Sequence, residues 1–257
     1  MIQKRMPALF VGHGSPMNAI EENQFVKGWK EISKQFEQPK ALLVISAHWL
    51  TKGTCINNEI HPKQIYDMFG FPDDLYQLVY DCKGSPELAM HVINDIKLDI
   101  KVDNSWGIDH GTWSVLCKMY PEANIPAVQI SIDRNLSAQG HYELGQKLSV
   151  LRDEGILILG SGNVVHNLSR INWDMDGGYP WAIDFDQYVL NHIKNRNFEN
   201  VVEYKRAGKS SDFAFYTTEH FNPLLYVLGA TQKEDSIQIF NQTCLMGSMS
   251  MTCYLMN

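Results

Sequence analysis

Four short apolar runs constrain the fold of this chain more than any other feature. They are Ala8-Leu9-Phe10-Val11, Ala41-Leu42-Leu43-Val44-Ile45, Ala127-Val128-Gln129-Ile130-Ser131-Ile132 and Gly155-Ile156-Leu157-Ile158-Leu159. Each is rich in large aliphatic or β-branched residues and ends at Gly, Ser or Asp. Strands of a parallel sheet read this way, because helices cover both faces and leave no polar side. Helical patterns lie between the runs. Ser85-Pro86-Glu87 gives an N-cap, a proline at the first helical position and an acid in the first turn. Residues 135–150, 180–193 and 219–228 give further helices, with Gly229 placed to close the last one. Near the C-terminus, 236–240 and 248–255 alternate with period two and predict an antiparallel pair with one face exposed. The order implies one α/β domain over residues 1–257, with a central mixed, largely parallel sheet flanked by helices and a C-terminal antiparallel hairpin. The alternating Met249, Met251 and Cys253 either pack inside or form an interface.

Composition narrows the function. Lys plus Arg is 22 against 29 for Asp plus Glu, a formal charge of −7. That balance argues against a broad phosphate-binding surface and so against a nucleic-acid partner. The five cysteines are scattered without a CxxC pair, so neither a zinc ribbon nor a redox dithiol is indicated. No run of about 18 apolar residues is present to span a membrane. The apolar stretch before Gly12 is too short for a signal-peptide core. A reduced, cytoplasmic protein is the expectation.

The chemistry collects on histidines. His13, in Gly12-His13-Gly14-Ser15-Pro16, follows the first strand. His48, in Ser46-Ala47-His48-Trp49, follows the second, and His166, in Gly162-Asn163-Val164-Val165-His166-Asn167, follows the fourth. Ligands of open α/β sheets bind outside the carboxyl ends of the strands, so the three imidazoles face one crevice. Imidazole suits first-row metals, and a reactive metal keeps an open position. His110, between Asp109 and Gly111, predicts a tight loop presenting a side chain. His220 follows Thr217, Thr218 and Glu219 at what reads as a cap and first helical turn. The helix dipole there favours Glu219 whatever its function and disfavours a charged His220. His91, His141 and His192 fall on helical patterns as surface or packing residues, and His61 carries a weak signal for a loop over the site.

Five motifs then stand in a telling order. They are Gly-His-Gly-Ser-Pro at 12–16, Ser-Ala-His-Trp at 46–49, Asp-His-Gly-Thr-Trp at 109–113, Gly-Ser-Gly-Asn-Val-Val-His-Asn at 160–167 and Glu-His-Phe-Asn-Pro-Leu at 219–224. Together they resemble the class III extradiol ring-cleavage dioxygenases, the LigB superfamily, and within it the 4,5-DOPA extradiol branch. The resemblance implies a mononuclear Fe(II) site, recoverable holding Zn(II), and cleavage of a catechol by O2 beside its two hydroxyls. It implies His13 and His48 as metal ligands and a third ligand from the late helix, His220, with Glu219 as the alternative. It implies His166 as the acid/base residue, able to become a fourth ligand to zinc, and His110 as a pocket residue touching substrate or oxygen. Whether the cut is 4,5 or 2,3 stays open.

Other residues carry weaker expectations. Trp49, Trp113, Phe69 and Tyr216 are candidates for an aromatic slot, Lys209 or Arg206 for a substrate carboxylate, and Ser15 and Asn18 for orienting His13. Two competing functions fit the same histidines. A zinc hydrolase or amidase would activate water instead of O2. A non-catalytic metal protein would close its site with four protein ligands.

Overall fold

The computed structural model describes residues 5–94, 96 and 99–257. The first four residues, part of the stretch weighed above as a leader, lie outside that range. The strands are β1 (Ala8–Gly12), β2 (Ala41–Thr51), β3 (Thr54–Ile56), β4 (Ile100–Val102), β5 (Ala127–Asp133), β6 (Ile156–Gly162), β7 (Ile237–Phe240), β8 (Cys244–Leu245), β9 (Met249–Ser250) and β10 (Cys253–Met256). The α-helices are α1 (Gln24–Ile32), α2 (Asp73–Gln77), α3 (Pro86–Asn94), α4 (His110–Met119), α5 (Ala138–Leu148), α6 (Pro180–Lys194), α7 (Phe198–Val202), α8 (Lys209–Ala214) and α9 (Asn222–Ala230).

One sheet runs in the order β4-β3-β5-β2-β6-β1-β10-β7, and β8 and β9 form a separate antiparallel pair. The four apolar runs make the parallel centre: β1 lies beside β6, β6 beside β2 and β2 beside β5. Alternate residues of these strands enter two cores. Phe10, Leu43, Ile45 and Ile158 pack toward α5, α6 and α9, while Leu9, Val11, Leu42, Val44 and Leu159 pack toward α1 and α4. Both sides are apolar because both are covered, as the runs predicted.

The last strands depart from expectation. The segment 248–255 is broken into β9 and β10, and β10 inserts between β1 and β7, antiparallel to each. Its alternate side chains enter the two cores, Tyr254 and Met256 on one side and Cys253 and Leu255 on the other, so both faces are buried and the predicted exposed side is found only on β7, the edge strand. Met249, Met251 and Cys253 all pack inside.

The late helix also shifts. It begins at Asn222 rather than Glu219, with Pro223 in its first turn, and no side chain caps it. The Thr218 carbonyl, not a threonine hydroxyl, receives the amides of Phe221 and Asn222. Gly229 sits inside α9 rather than beyond its end. It and Gly145 lie where α5 and α9 touch backbone to backbone, against Tyr142 O and Tyr226 O, and a Cβ at either would collide. The glycine serves close helix packing, not termination. Helix α5 starts at Ala138 with Ser137 as N-cap, three residues later than the pattern suggested. Among the described residues no helix is long and apolar enough to cross a membrane.

Candidate active site

Five separate segments deliver five histidines to one cavity of about 430 Å3, lined by His13, His48, His110, His166 and His220. His13 follows β1, where Gly14 takes φ of +62° and lets the chain turn away at once. His48 lies within β2, not past its end. Between the pairs Ile45–Ile130 and Leu50–Ile132, residues 46–49 of β2 face Ser131 alone on β5. This bulge turns the strand's backbone out of register and carries His48 to the cavity. His110 is the first residue of α4, not part of a loop. Its neighbour Asp109 is the N-cap and accepts from the Thr112 amide. Asp109 also accepts from Ser46 Oγ at 2.6 Å and from Gln129 Nε2, and so ties α4 to β2 and β5. His166 follows β6, its amide bonded to the Ala214 carbonyl at 2.8 Å. His220 lies in the turn before α9, and its carbonyl accepts the Asn163 amide at 2.8 Å.

The ring nitrogens face one another. His13 Nε2 and His48 Nε2 are 3.2 Å apart. The opposite nitrogens are both engaged: His13 Nδ1 at 3.0 Å from Ser161 Oγ, and His48 Nδ1 at 3.2 Å from Asp67 Oδ2. Two bare nitrogens at that separation suit ligands of one ion with bonds of about 2.1 Å. His13, His48 and His110 each bring a nitrogen within 4.8 Å of the other two and could hold a metal ion. His220 completes the ring, its centroid 5.3 Å from His13 and 5.0 Å from His48. Both of its nitrogens are buried without a hydrogen-bond partner, an arrangement that costs free energy unless a ligand fills it. His166 stacks on His220 at 3.5 Å with planes 7° apart.

Burial dominates the electrostatics. It pushes His13 and His220 well below the usual histidine pKa, with neighbouring imidazoles pushing the same way. It brings His166 down to about 3, aided by His48 and His110. His110 is lowered as well, by burial first and His48 second, against the pull of Asp67. For His48, burial is outweighed by the Asp67 hydrogen bond and nearby carboxylates, and its pKa rises. Burial likewise disfavours the Asp67 carboxylate, but hydrogen bonds from His110 and His48 overcome it and hold that group well below the carboxylate range.

The cavity wall differs from the aromatic slot foreseen. Trp49 and Trp113 are buried in the core, and Tyr216 is exposed away from the cavity. Only Phe69 of that group lines it, joined by Met68, Phe71, Leu168, Trp173, Met246 and Met249. Lys209 and Arg206 do not reach it. Arg206 pairs with Glu203 and Glu199. Asn18 holds the His13 backbone carbonyl, and Ser15 caps the short turn behind it, so neither touches the imidazole. Glu219 stands 3.6 Å from His220 Nδ1 but lines a second cavity of about 630 Å3 behind His48 and His220, with Arg134 and Leu136. His141 is buried against Tyr226, His91 meets Glu154, and His61 lies exposed outside the cavity. Two residues went unforeseen. Ser161 sits in a strand-end Gly-Ser-Gly that could have flagged it, whereas Asp67 lies in an irregular segment without any pattern.

The family described as the catalytic LigB subunit of aromatic ring-opening dioxygenase matches residues 7–251. This chain belongs to the LigB family. A 4,5-DOPA dioxygenase extradiol from Escherichia coli K12 is 43% identical over 98% of this chain and 94% of its own length. One of the same name from Beta vulgaris is 38% identical over 95% of this chain and 94% of its own. A crystal structure of an uncharacterized protein from Escherichia coli K12 superposes with a TM-score of 0.86 at 40% identity, covering 98% of this chain and all of that one. The fold of this LigB protein is thus shared with a solved relative, and its named relatives are dioxygenases.

Proposed function

We propose that this LigB protein is an Fe(II)-dependent extradiol dioxygenase that opens the ring of a DOPA-like catechol. His13, His48 and His220 would hold the metal, His166 would act as acid and base, and His110 would touch substrate or oxygen. The observation that carries the reading is the convergence of His13 Nε2 and His48 Nε2 at 3.2 Å beside a cavity with room for a flat ring. Ferrous iron, when bound, supplies a path for electrons from the doubly deprotonated catechol to O2.

The residues of the chain do the rest. The cavity adjoins His13, His48 and His220, so an ion they would hold keeps a free side toward it. The uncharged His166 can accept a proton from one catechol hydroxyl and return it later. Met68, Phe69, Phe71 and Trp173 offer apolar surface to the ring. The choice of a DOPA-like catechol is drawn from the names of the relatives, and a cytoplasmic setting is part of this proposal.

A hydrolase working through a carboxylate base would need one free at the cavity. The acid lining it is Asp67, and both its oxygens are engaged by histidines. A purely structural metal site would be closed, whereas a cavity of about 430 Å3 adjoins these histidines.

The test is reconstitution of metal-free protein with Fe(II), addition of DOPA or plain catechol in air, and measurement of oxygen uptake with the visible spectrum. Oxygen loss with a yellow ring-opened product, absent with Zn(II), is the expected result. Amide or ester hydrolysis by the zinc form, with no oxygen uptake by the iron form on any catechol, would overturn it.

A further inference from the structure

We propose that Asp67 is a positioning residue that fixes the proton of His48 and thereby frees the nitrogen that meets the metal; this rests on the reading above. The argument is geometric. Asp67 Oδ2 is 3.2 Å from His48 Nδ1, and Oδ1 is 3.0 Å from His110 Nδ1. Oδ1 also accepts the backbone amide of His110 at 2.9 Å. A carboxylate only accepts, so the His48 nitrogen facing it carries the proton and that ring turns its bare Nε2 the other way. For His48 that direction is toward His13 Nε2.

The same contact places two elements at once. The His110 amide is an unpaired donor at the start of α4, and Asp67 satisfies it from a segment far away in sequence. Backbone bonds Ile65 N to Ile108 O and Ile108 N to Lys63 O anchor the segment just before Asp67. Immediately after it come Met68, Phe69 and Phe71, which line the cavity. One side chain thus joins the orientation of the His48 imidazole and the start of α4 to the position of the apolar lip.

A mere helix cap would behave differently from a proton-fixing carboxylate. Asp67→Asn keeps a carbonyl for the His110 amide but can offer His48 an NH2 donor, which forces the proton onto His48 Nε2. Metal affinity, read by competition with a chelator using Zn(II), should fall about 10- to 100-fold in Asp67→Asn, the usual effect of losing such a partner. Asp67→Glu, which keeps an acceptor pair, should recover part of that loss. A second measurement needs no variant: proton–nitrogen correlation of the ring nitrogens in metal-free wild-type protein should show His48 protonated at Nδ1 and bare at Nε2.

Affinity of Asp67→Asn within about twofold of wild type, or a proton on His48 Nε2, overturns the assignment. If Asp67→Asn fails to fold, the wild-type spectrum decides alone. Wild-type protein that takes up no stoichiometric zinc, or takes it up equally well as His13→Ala, overturns the metal-site reading and this inference with it. Normal uptake that His13→Ala abolishes but Asp67→Asn leaves intact overturns only the role of Asp67.

Discussion

Ser161 Oγ lies 3.0 Å from His13 Nδ1 and gives its own proton to the Gly111 carbonyl 2.5 Å away. A hydroxyl has one proton, so it must accept from the ring, and His13 is held with Nδ1–H and a bare Nε2. Replacing Ser161 with Ala frees the ring to turn and to take the other tautomer. Metal affinity should drop about 10- to 100-fold, and stability by about 1 kcal/mol for the lost hydrogen bond. Chelator competition and denaturant titration on the same preparation check both numbers.

His166 touches the cavity but is held apart from the His13–His48 pair, stacked on His220. Its replacement by Ala should leave iron uptake near normal and lower turnover by about 10²- to 10⁴-fold. Iron content and oxygen uptake measured together decide it. Unchanged turnover removes the acid/base role.

Gly162 closes β6 against the turn that carries His220. A Cβ there would collide with the His220 carbonyl, the group that receives the Asn163 amide. Gly162→Ala should therefore displace His220, with a packing cost of about 1–3 kcal/mol and weaker metal binding. Full affinity in the variant would show that His220 does not hold the ion.

Arg152 is almost wholly buried and donates to Met6 O, Ala230 O, Met256 O and both oxygens of Asp235. It ties the first strand, the end of α9 and the last strand into one knot. Asp235→Ala leaves a buried cation without its partner and should cost about 3–5 kcal/mol. Urea unfolding measures it. A loss under about 1 kcal/mol would show that the carbonyls alone satisfy the guanidinium.

His141 is buried beside Tyr226, and burial brings its pKa down to about 4 despite the charge of Asp133. The fold disfavours its charged form. The unfolded chain protonates first as pH falls, so this stability is complete above about 6.5 and lost progressively down to about 4. The difference amounts to up to about 3 kcal/mol. His141→Gln should flatten the decline over that window when melting is compared at pH 7 and pH 4.5, and an equal decline in both proteins would refute it.

The central strands and the histidines were legible because each signal is local. An apolar run bounded by Gly or Ser marks a doubly covered strand, and a histidine at its end marks the ligand side of the sheet. Three-residue strands such as β3 and β4 are too short to show a period. Helix α4 hid for a different reason: eight of its ten residues are buried, so no polar stripe betrays it and His110 read as a loop. The antiparallel pair predicted near the C-terminus is there as β7 and β10, but its exposed face failed on β10 because that strand also pairs with β1, nearly the whole chain away, and so joins the covered sheet. Asp67 was invisible because its meaning exists only once His48 and His110 stand beside it.

The bulge of β2 has a consequence for how this protein can change. The strand is in step with β5 at Ile45 and again at Leu50, and only the stretch between them departs. Residues 46–49 behave as a detour with fixed ends. The pairing with β5 is set at those ends, while within the detour Ser46 keeps its register with Ser161 of β6 and its bond to Asp109. The centre of the sheet therefore contains a stretch whose length can differ from that of its β5 partner without cost to the register on either flank, and His48 rides on it.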